Sequence, residues 1–356
     1  MSDSSDRAEF ARRFSQVRRA VSYLEKKLLG GTREYSRRDL EEKFSIPPTL
    51  SRMYWRALGF TNVDDDTAVF TAADAEAFSS LKEVSGNDIV SDRSLAHLAR
   101  ALGFHMGRLA MWETEAIVDD MKRARNLPDA EARLAMLDVM PNYIDVFEQH
   151  VLYAFRRQLA AYTARAGAEI LQSSPDSEGD DAMPLKRVVG FADLVAFTPL
   201  AQSLSGAELA DVIGDFEAIT RDIVSVGGGR VVKTVGDEIM FLADTPEDGA
   251  QIALSISEAL AEDDRFPCVR IGLSWGNMFS RFGDVFGPTV NLAARLEGIA
   301  APGEVICDED TADAIEEALP GAFVTSRKEA VELQGIGKWV PVSVKRGNSR
   351  RIELDG

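Results

Sequence analysis

Up to about residue 171 the apolar positions of the chain recur at intervals of three and four. Leu95, Leu98, Leu102, Met106 and Leu109 form such a stripe, which predicts a helix with one apolar face. Pro141 opens a second helical stretch reaching about Leu171, with Phe147, Val151, Phe155 and Tyr162 on roughly one side. From residue 185 the pattern alternates between strand and helix. Residues 187–197, rich in Val and Phe, predict a strand, and 206–224 a helix. The runs 231–235 and 238–242 are separated by Gly236-Asp237, a hairpin signal. Residues 246–261 and 288–299 predict helices, and 269–273 and 304–307 predict strands. The fold class expected is α+β with an antiparallel component, preceded by an all-α half. No internal repeat of 20–50 residues is visible.

Residues 172–184 differ in composition from both halves. Two prolines, a glycine, four acids and small polar residues bury too little surface to hold one conformation. They predict a flexible linker between 1–171 and 185–347, with 348–356 as a tail. A length of 356 residues with 45 % apolar content suits two or three domains, each able to bury its own core. The net charge of −18 argues against adhesion of the whole chain to nucleic acid or anionic membrane. Cys268 and Cys307 are too few for a disulfide framework and lack metal-ligand spacing, which fits a reducing cytoplasm. No apolar run reaches the ~18–20 residues of a membrane span. Met1–Asp6 is polar and acidic, unlike a secretory leader.

Three segments carry candidate chemistry. In Phe191-Ala-Asp193-Leu194-Val-Ala-Phe197-Thr198 an aspartate sits within an apolar strand, where an unpaired carboxylate is costly. In Lys233-Thr-Val-Gly236-Asp237-Glu238 a second aspartate follows the hairpin glycine. Two carboxylates on adjacent strands suit a pair of Mg²⁺ ions roughly 4 Å apart, although each taken alone also suits a strand end or a turn. The third segment is Asp284-Val-Phe-Gly287-Pro-Thr-Val-Asn291-Leu-Ala-Ala-Arg295. Asn291 and Arg295, four apart on a helix, share a face and suit a ribose and a phosphate, as a solvated helix face also would.

In order and spacing, these segments and Arg270-Ile-Gly272 resemble the catalytic domain of class III nucleotide cyclases, over roughly 185–345. The resemblance implies a ferredoxin-like (palm) domain and two Mg²⁺ or Mn²⁺ ions held by Asp193, Asp237 and the Leu194 carbonyl. It implies Asn291 on the ribose, Arg295 on the α-phosphoryl transition state, and no catalytic role for Glu238. It also implies a homodimer whose two composite sites each take metals from one chain and base, ribose and transition-state contacts from the other. Lys233, a donor, and Asp284, an acceptor, complement the N1 and N6 edge of adenine, so ATP is the expected substrate. The late Leu333-Gln-Gly335-Ile336-Gly337-Lys338 lacks the family's usual triphosphate lysine, and Lys338 or Arg281 is the candidate replacement.

Residues 35–81 resemble the helix-turn-helix start of MerR-type regulators, through Tyr35-Ser-Arg-Arg-Asp-Leu40, Phe44-Ser-Ile-Pro-Pro-Thr-Leu50, Tyr54-Trp-Arg-Ala-Leu-Gly59, Phe70-Thr71 and Asp74. Residues 1–60 carry 13 basic against 8 acidic side chains, yet Asp64-Asp-Asp66 sits where a wing would approach phosphate. A regulatory helical module is therefore preferred to a DNA binder. As a whole the chain resembles soluble actinobacterial adenylate cyclases with a helical, autoinhibitory half. Candidate signals are protonation of His105 or His150, expected to be packed, and a lipid held near Leu98–Trp112. The alternatives kept are a diguanylate cyclase, from Val235-Gly-Asp-Glu238, and a DNA-binding regulator with an inactive nucleotide-sensing half.

Overall fold

A computed structural model describes residues 2–85, 90–172 and 185–354, and most of the expected linker, 173–184, lies outside them. The chain divides into two compact units, Met1–Ser174 and Pro175–Gly356.

The first unit holds α1 (Ser2–Leu28), α2 (Arg37–Phe44), α3 (Pro48–Ala57), α4 (Ala72–Ser85), α5 (Asp92–Arg125), α6 (Asp129–Val139) and α7 (Ile144–Gln172). Ser36 opens α2 with a capping box to Asp39, and Ser45 closes it in the left-handed region at φ 55°. Leu40, Ile46, Phe70, Ala75 and Phe78 form a small core under α2–α4. The acidic loop folds back on the basic residues of α2 and α3. Asp65 pairs with Arg37 at 2.8 Å and also with Arg52, while Asp66 pairs with Arg38 at 2.9 Å. A second core gathers Leu24, Val118, Met121, Ala132, Met136, Met140 and Ile144. The predicted stripe on α5 is only partly covered: Leu95 is buried, whereas Leu98 and Leu102 are 57 % and 48 % exposed. The turn-by-turn spacing placed them on one side of a helix correctly, but α5 runs for 34 residues, beyond what the unit's cores cover.

The second unit contains β1 (Leu185–Leu194), α8 (Phe197–Ser203), α9 (Gly206–Val226), β2 (Arg230–Val235), β3 (Glu238–Ala243), α10 (Pro246–Ala261) and β4 (Val269–Arg281). There follow β5 (Asp284–Phe286), α11 (Pro288–Ile299), β6 (Val305–Cys307), α12 (Glu309–Ala318), β7 (Phe323–Arg327), β8 (Val331–Leu333), β9 (Gly337–Trp339) and β10 (Val342–Arg346). The main sheet runs β2-β3-β1-β4-β6-β10-β7, with β5 paired to β4 and β8-β9 as a separate ribbon. β4 outruns the expected 269–273 because β1 offers it a partner along its length, from Leu194↔Val269 to Leu185↔Met278.

Strand alternation divides the core between two faces. Val188, Ala192, Leu194, Ile239, Phe241, Ile271 and Leu273 pack with Phe216, Ile252, Ile256 and Ile315 from α9, α10 and α12. Val189, Phe191, Met240 and Leu242 face the other way, where Ala293 of α11 joins them. Residues 348–352, expected as a tail, are tied to the domain. The Ile352 N–H donates to Ser255 Oγ at 3.1 Å, Ile352 packs on the main core, and Arg346 joins Glu258, Ser255, Ser349 and the Arg350 carbonyl. Arg346 gives the polar groups of that segment partners.

Candidate active site

The period of two along β1 decides where Asp193 lies. Two residues beyond Phe191, it falls on the sheet face covered by α11, next to Glu238 on β3 and Arg270 on β4 in the strand register. The β2–β3 hairpin closes on Gly236-Asp237, with Gly236 at φ 66°, the positive value the first position of such a turn requires. The Leu194 N–H donates to the Asp237 carbonyl at 3.2 Å, which fastens the hairpin tip to the end of β1. Asp193 and Leu194 at the end of β1 are thereby brought beside Asp237 at the tip of the β2–β3 hairpin.

The acids there feel one another. Burial raises the Asp193 carboxyl, the Asp237 charge adds to the rise, and Arg270 opposes both. Glu238 is also raised, by burial first and then by Asp193 and Asp237. Arg270 donates to Asp193 Oδ2 through Nε at 3.0 Å and Nη2 at 2.7 Å. Its Nε also lies 2.5 Å from Oε1 of Glu297, which is 6 % exposed and pushed up to about 7 by burial.

Lys233 and Asp284, 51 residues apart in sequence, meet at 2.7 and 2.9 Å between Nζ and the two carboxylate oxygens. Burial works against the Asp284 charge, but Lys233 and the Val285 N–H outweigh it and hold this carboxyl below its usual range. Asn291 and Arg295 are exposed on α11 while Ala293 and Glu297, on the opposite side of the same helix, are buried against the sheet. Within one chain the Asn/Arg face is therefore turned away from the face that carries Asp193. Arg281 is exposed at the end of β4 and lies over the Phe282 ring, and Lys338 is exposed on β9 opposite Glu332.

The histidines differ from expectation. His105 and His150 are both exposed, and His150 Nδ1 lies 2.9 Å from the Val146 carbonyl. Helical spacing shows which residues share a side but not whether anything covers it. In the same unit Leu24, Leu102, Met106, Leu109, Phe147 and Val151 line an apolar cavity of about 610 Å³.

Arg270 and Glu297 were missed as site residues. Arg270 lay within a recognised motif without a role. Glu297 had a readable signal, since an acid four residues after Ala293 occupies the apolar face of its helix, where a charge needs a partner.

Residues 186–345 match the family model described as the adenylate and guanylate cyclase catalytic domain. An adenylate cyclase of Glutamicibacter nicotianae is 38 % identical over 346 residues, covering 95 % of this chain and 85 % of that one. The chain belongs to the class III adenylate cyclases. Further relatives of this cyclase include an adenylate cyclase of Streptomyces coelicolor, 33 % identical over 80 % of this chain and 72 % of that one. A pH-sensitive adenylate cyclase of Mycobacterium tuberculosis is 29 % identical over 81 % and 70 % of the respective chains. No helix among the described residues of the cyclase is long and apolar enough to cross a membrane.

Proposed function

We propose that this adenylate cyclase closes ATP to 3′,5′-cyclic AMP and pyrophosphate at sites shared between two copies of the chain. The observation that carries the reading is the opposed placement of Asn291 and Arg295 relative to Asp193. A chain whose ribose- and phosphate-binding face points away from its own carboxylates completes the set by pairing head to tail with a second copy.

Among the described residues no group of three or more His, Cys, Asp or Glu side chains is placed to hold a metal. Two carboxylates and one carbonyl nevertheless fit Mg²⁺ or Mn²⁺, because such ions take few protein ligands and complete their shells with water and substrate phosphates. Asp193, Asp237 and the Leu194 carbonyl would hold two ions, which supply activation of the ribose 3′-hydroxyl and neutralisation of the triphosphate. Lys233 donates to adenine N1 and Asp284 accepts from its N6 amino group. Asn291 fixes the ribose so that the 3′-oxygen stands in line with the α-phosphorus. Arg295 offers N–H donors to the charge that builds on the α-phosphoryl oxygens. Arg281 and Lys338 are the candidates for the triphosphate tail.

The first unit regulates this reaction in our reading. Pairing of Arg37, Arg38 and Arg52 with the acidic loop supports a regulatory rather than a DNA-binding role, since those cations are already matched. The apolar cavity favours a lipid over histidine protonation as its signal.

Mixing Asp193→Ala chains with Arg295→Ala chains tests the shared site. Each variant alone leaves no intact site, whereas the mixed dimer has one. With ATP and Mn²⁺, chromatography should show cyclic AMP from the mixture and almost none from either parent. Silence after verified subunit exchange would place the whole site in one chain.

A further inference from the structure

The residues after β10 run back across α10 to the turn between α9 and β2. The N–H groups of Gly347 and Ser349 donate to the Ala322 carbonyl and that of Asn348 to the Gly321 carbonyl, which sets the direction of the segment. Arg346 then holds its course. Nε donates to Glu258 at 2.7 Å, Nη2 to Ser255 Oγ, and Nη1 to the Ser349 hydroxyl and the Arg350 carbonyl. The Ile352 N–H shares Ser255 Oγ at 3.1 Å. The Ile352 side chain packs on the main core and reaches Gly227, where a Cβ would lie 2.8 Å from Ile352 Cδ1. Gly227 opens a run of three glycines, Gly228 stands at φ 77°, and β2 starts directly afterwards at Arg230.

Successive glycines have more backbone freedom than other residues, so such a turn fixes the direction of the next strand poorly. β2 depends on that direction. It stands at the edge of the main sheet beside β3, and its register with β3 shifts between Val231 and Lys233. The far end of the hairpin has its own anchor, the Leu194 N–H on the Asp237 carbonyl. Lys233 lies between that anchor and the glycine turn.

We propose that residues 347–352 are a strap: Ile352 pins the glycine turn and thereby sets the position from which Lys233 reads the base. This rests on the reading of Lys233 as a donor to adenine. Ile352 is a positioning residue and touches no substrate. Loss of its side chain frees the start of β2 while the Asp237 end keeps its hold, so base recognition suffers and metal binding does not.

Hydrogen–deuterium exchange on the full chain reads the strap without turnover. Ile352→Ser should speed exchange of the amides of residues 228–234 about tenfold or more and leave those of β10 unchanged. In cyclase assays the same variant should raise KM for ATP about five- to tenfold and lower the preference for ATP over GTP by a similar factor. Its half-saturating Mn²⁺ concentration should match the native chain, and Ile352→Val should behave as native throughout. Gly228→Asn suits the positive φ and narrows the turn, so added to Ile352→Ser it should restore the ATP preference. Native exchange at 228–234 in Ile352→Ser overturns the proposal, as does a rise in KM matched by an equal rise in the Mn²⁺ requirement. Should Ile352→Ser prove unstable, Ser255→Ala removes the acceptor shared by Ile352 and Arg346, and native exchange at 228–234 there also overturns it. Lys233→Met separates the two readings. Native ATP preference in that variant removes the adenine assignment, whereas lost preference there beside native preference in Ile352→Ser removes the strap.

Discussion

Asp193 is held between the repulsion of Asp237 and the attraction of Arg270, at a strand end where burial already works against its charge. Such a carboxylate is retained at a cost to stability, which suits a group that a divalent ion later satisfies. Asp193→Ala and Asp237→Ala should each remove nearly all cyclase activity while the protein still folds, as a rate assay beside a melting curve would check. Arg295→Ala should cost about 3 kcal/mol in the barrier, roughly a hundredfold in kcat, the usual loss for one preorganised donor. Near-native rates in either aspartate variant would remove the two-metal reading. At this scale Asp193 could be singled out as a charge within an apolar strand and Asp237 by the glycine turn before it, whereas Lys233 and Asp284 entered only through the resemblance to the cyclases. Glu297 could not be given its partner, since Arg270 lies 27 positions earlier on another element.

The approach of α11 to β4 is set by the absence of side chains. A Cβ on Gly272 would lie 2.2 Å from the Glu297 backbone nitrogen and 2.4 Å from the Ala293 carbonyl. One on Gly276 would lie 2.7 Å from Thr289 Oγ1. The glycine of the Arg-Ile-Gly motif therefore brings the helix bearing Asn291 and Arg295 against the strand bearing Arg270. Gly272→Ala should destabilise the protein by about 2–3 kcal/mol through overpacking against backbone that cannot step aside. Urea unfolding would measure it, with a smaller loss for Gly298→Ala, where nothing lies within 4 Å. The elements α9, α10 and α11 were close to fully legible, because each carries an apolar period, and α9 and α10 also carry capping residues. Of the strands of three residues, β6 was legible at 304–307 from its β-branched run, whereas β5, β8 and β9 were not, because so short a run has no period to read.

For the molecule as a whole, the proposed regulatory role of the helical unit can be tested at its histidines. Exposed His105 and His150 are poorly placed to sense pH, since charging a ring already in water disturbs no packing. His105→Ala and His150→Ala should leave the pH–activity profile of the full chain unchanged between about pH 6 and 8. A profile flattened by either substitution would return the sensor to that histidine. By itself the sequence determined the α+β class of the second half, the helical character of the first, and the four spaced motifs that mark a cyclase. Those follow from local propensity and from residue types whose chemistry is scarce at their positions. The tertiary structure decided the pairing of Arg270 with both Asp193 and Glu297, the exposure of the two histidines, the docking of residues 348–352 and the neutralisation of α2 and α3 by the acidic loop. Each depends on which distant surfaces meet, and burial and ion pairing are properties of that meeting rather than of any segment alone.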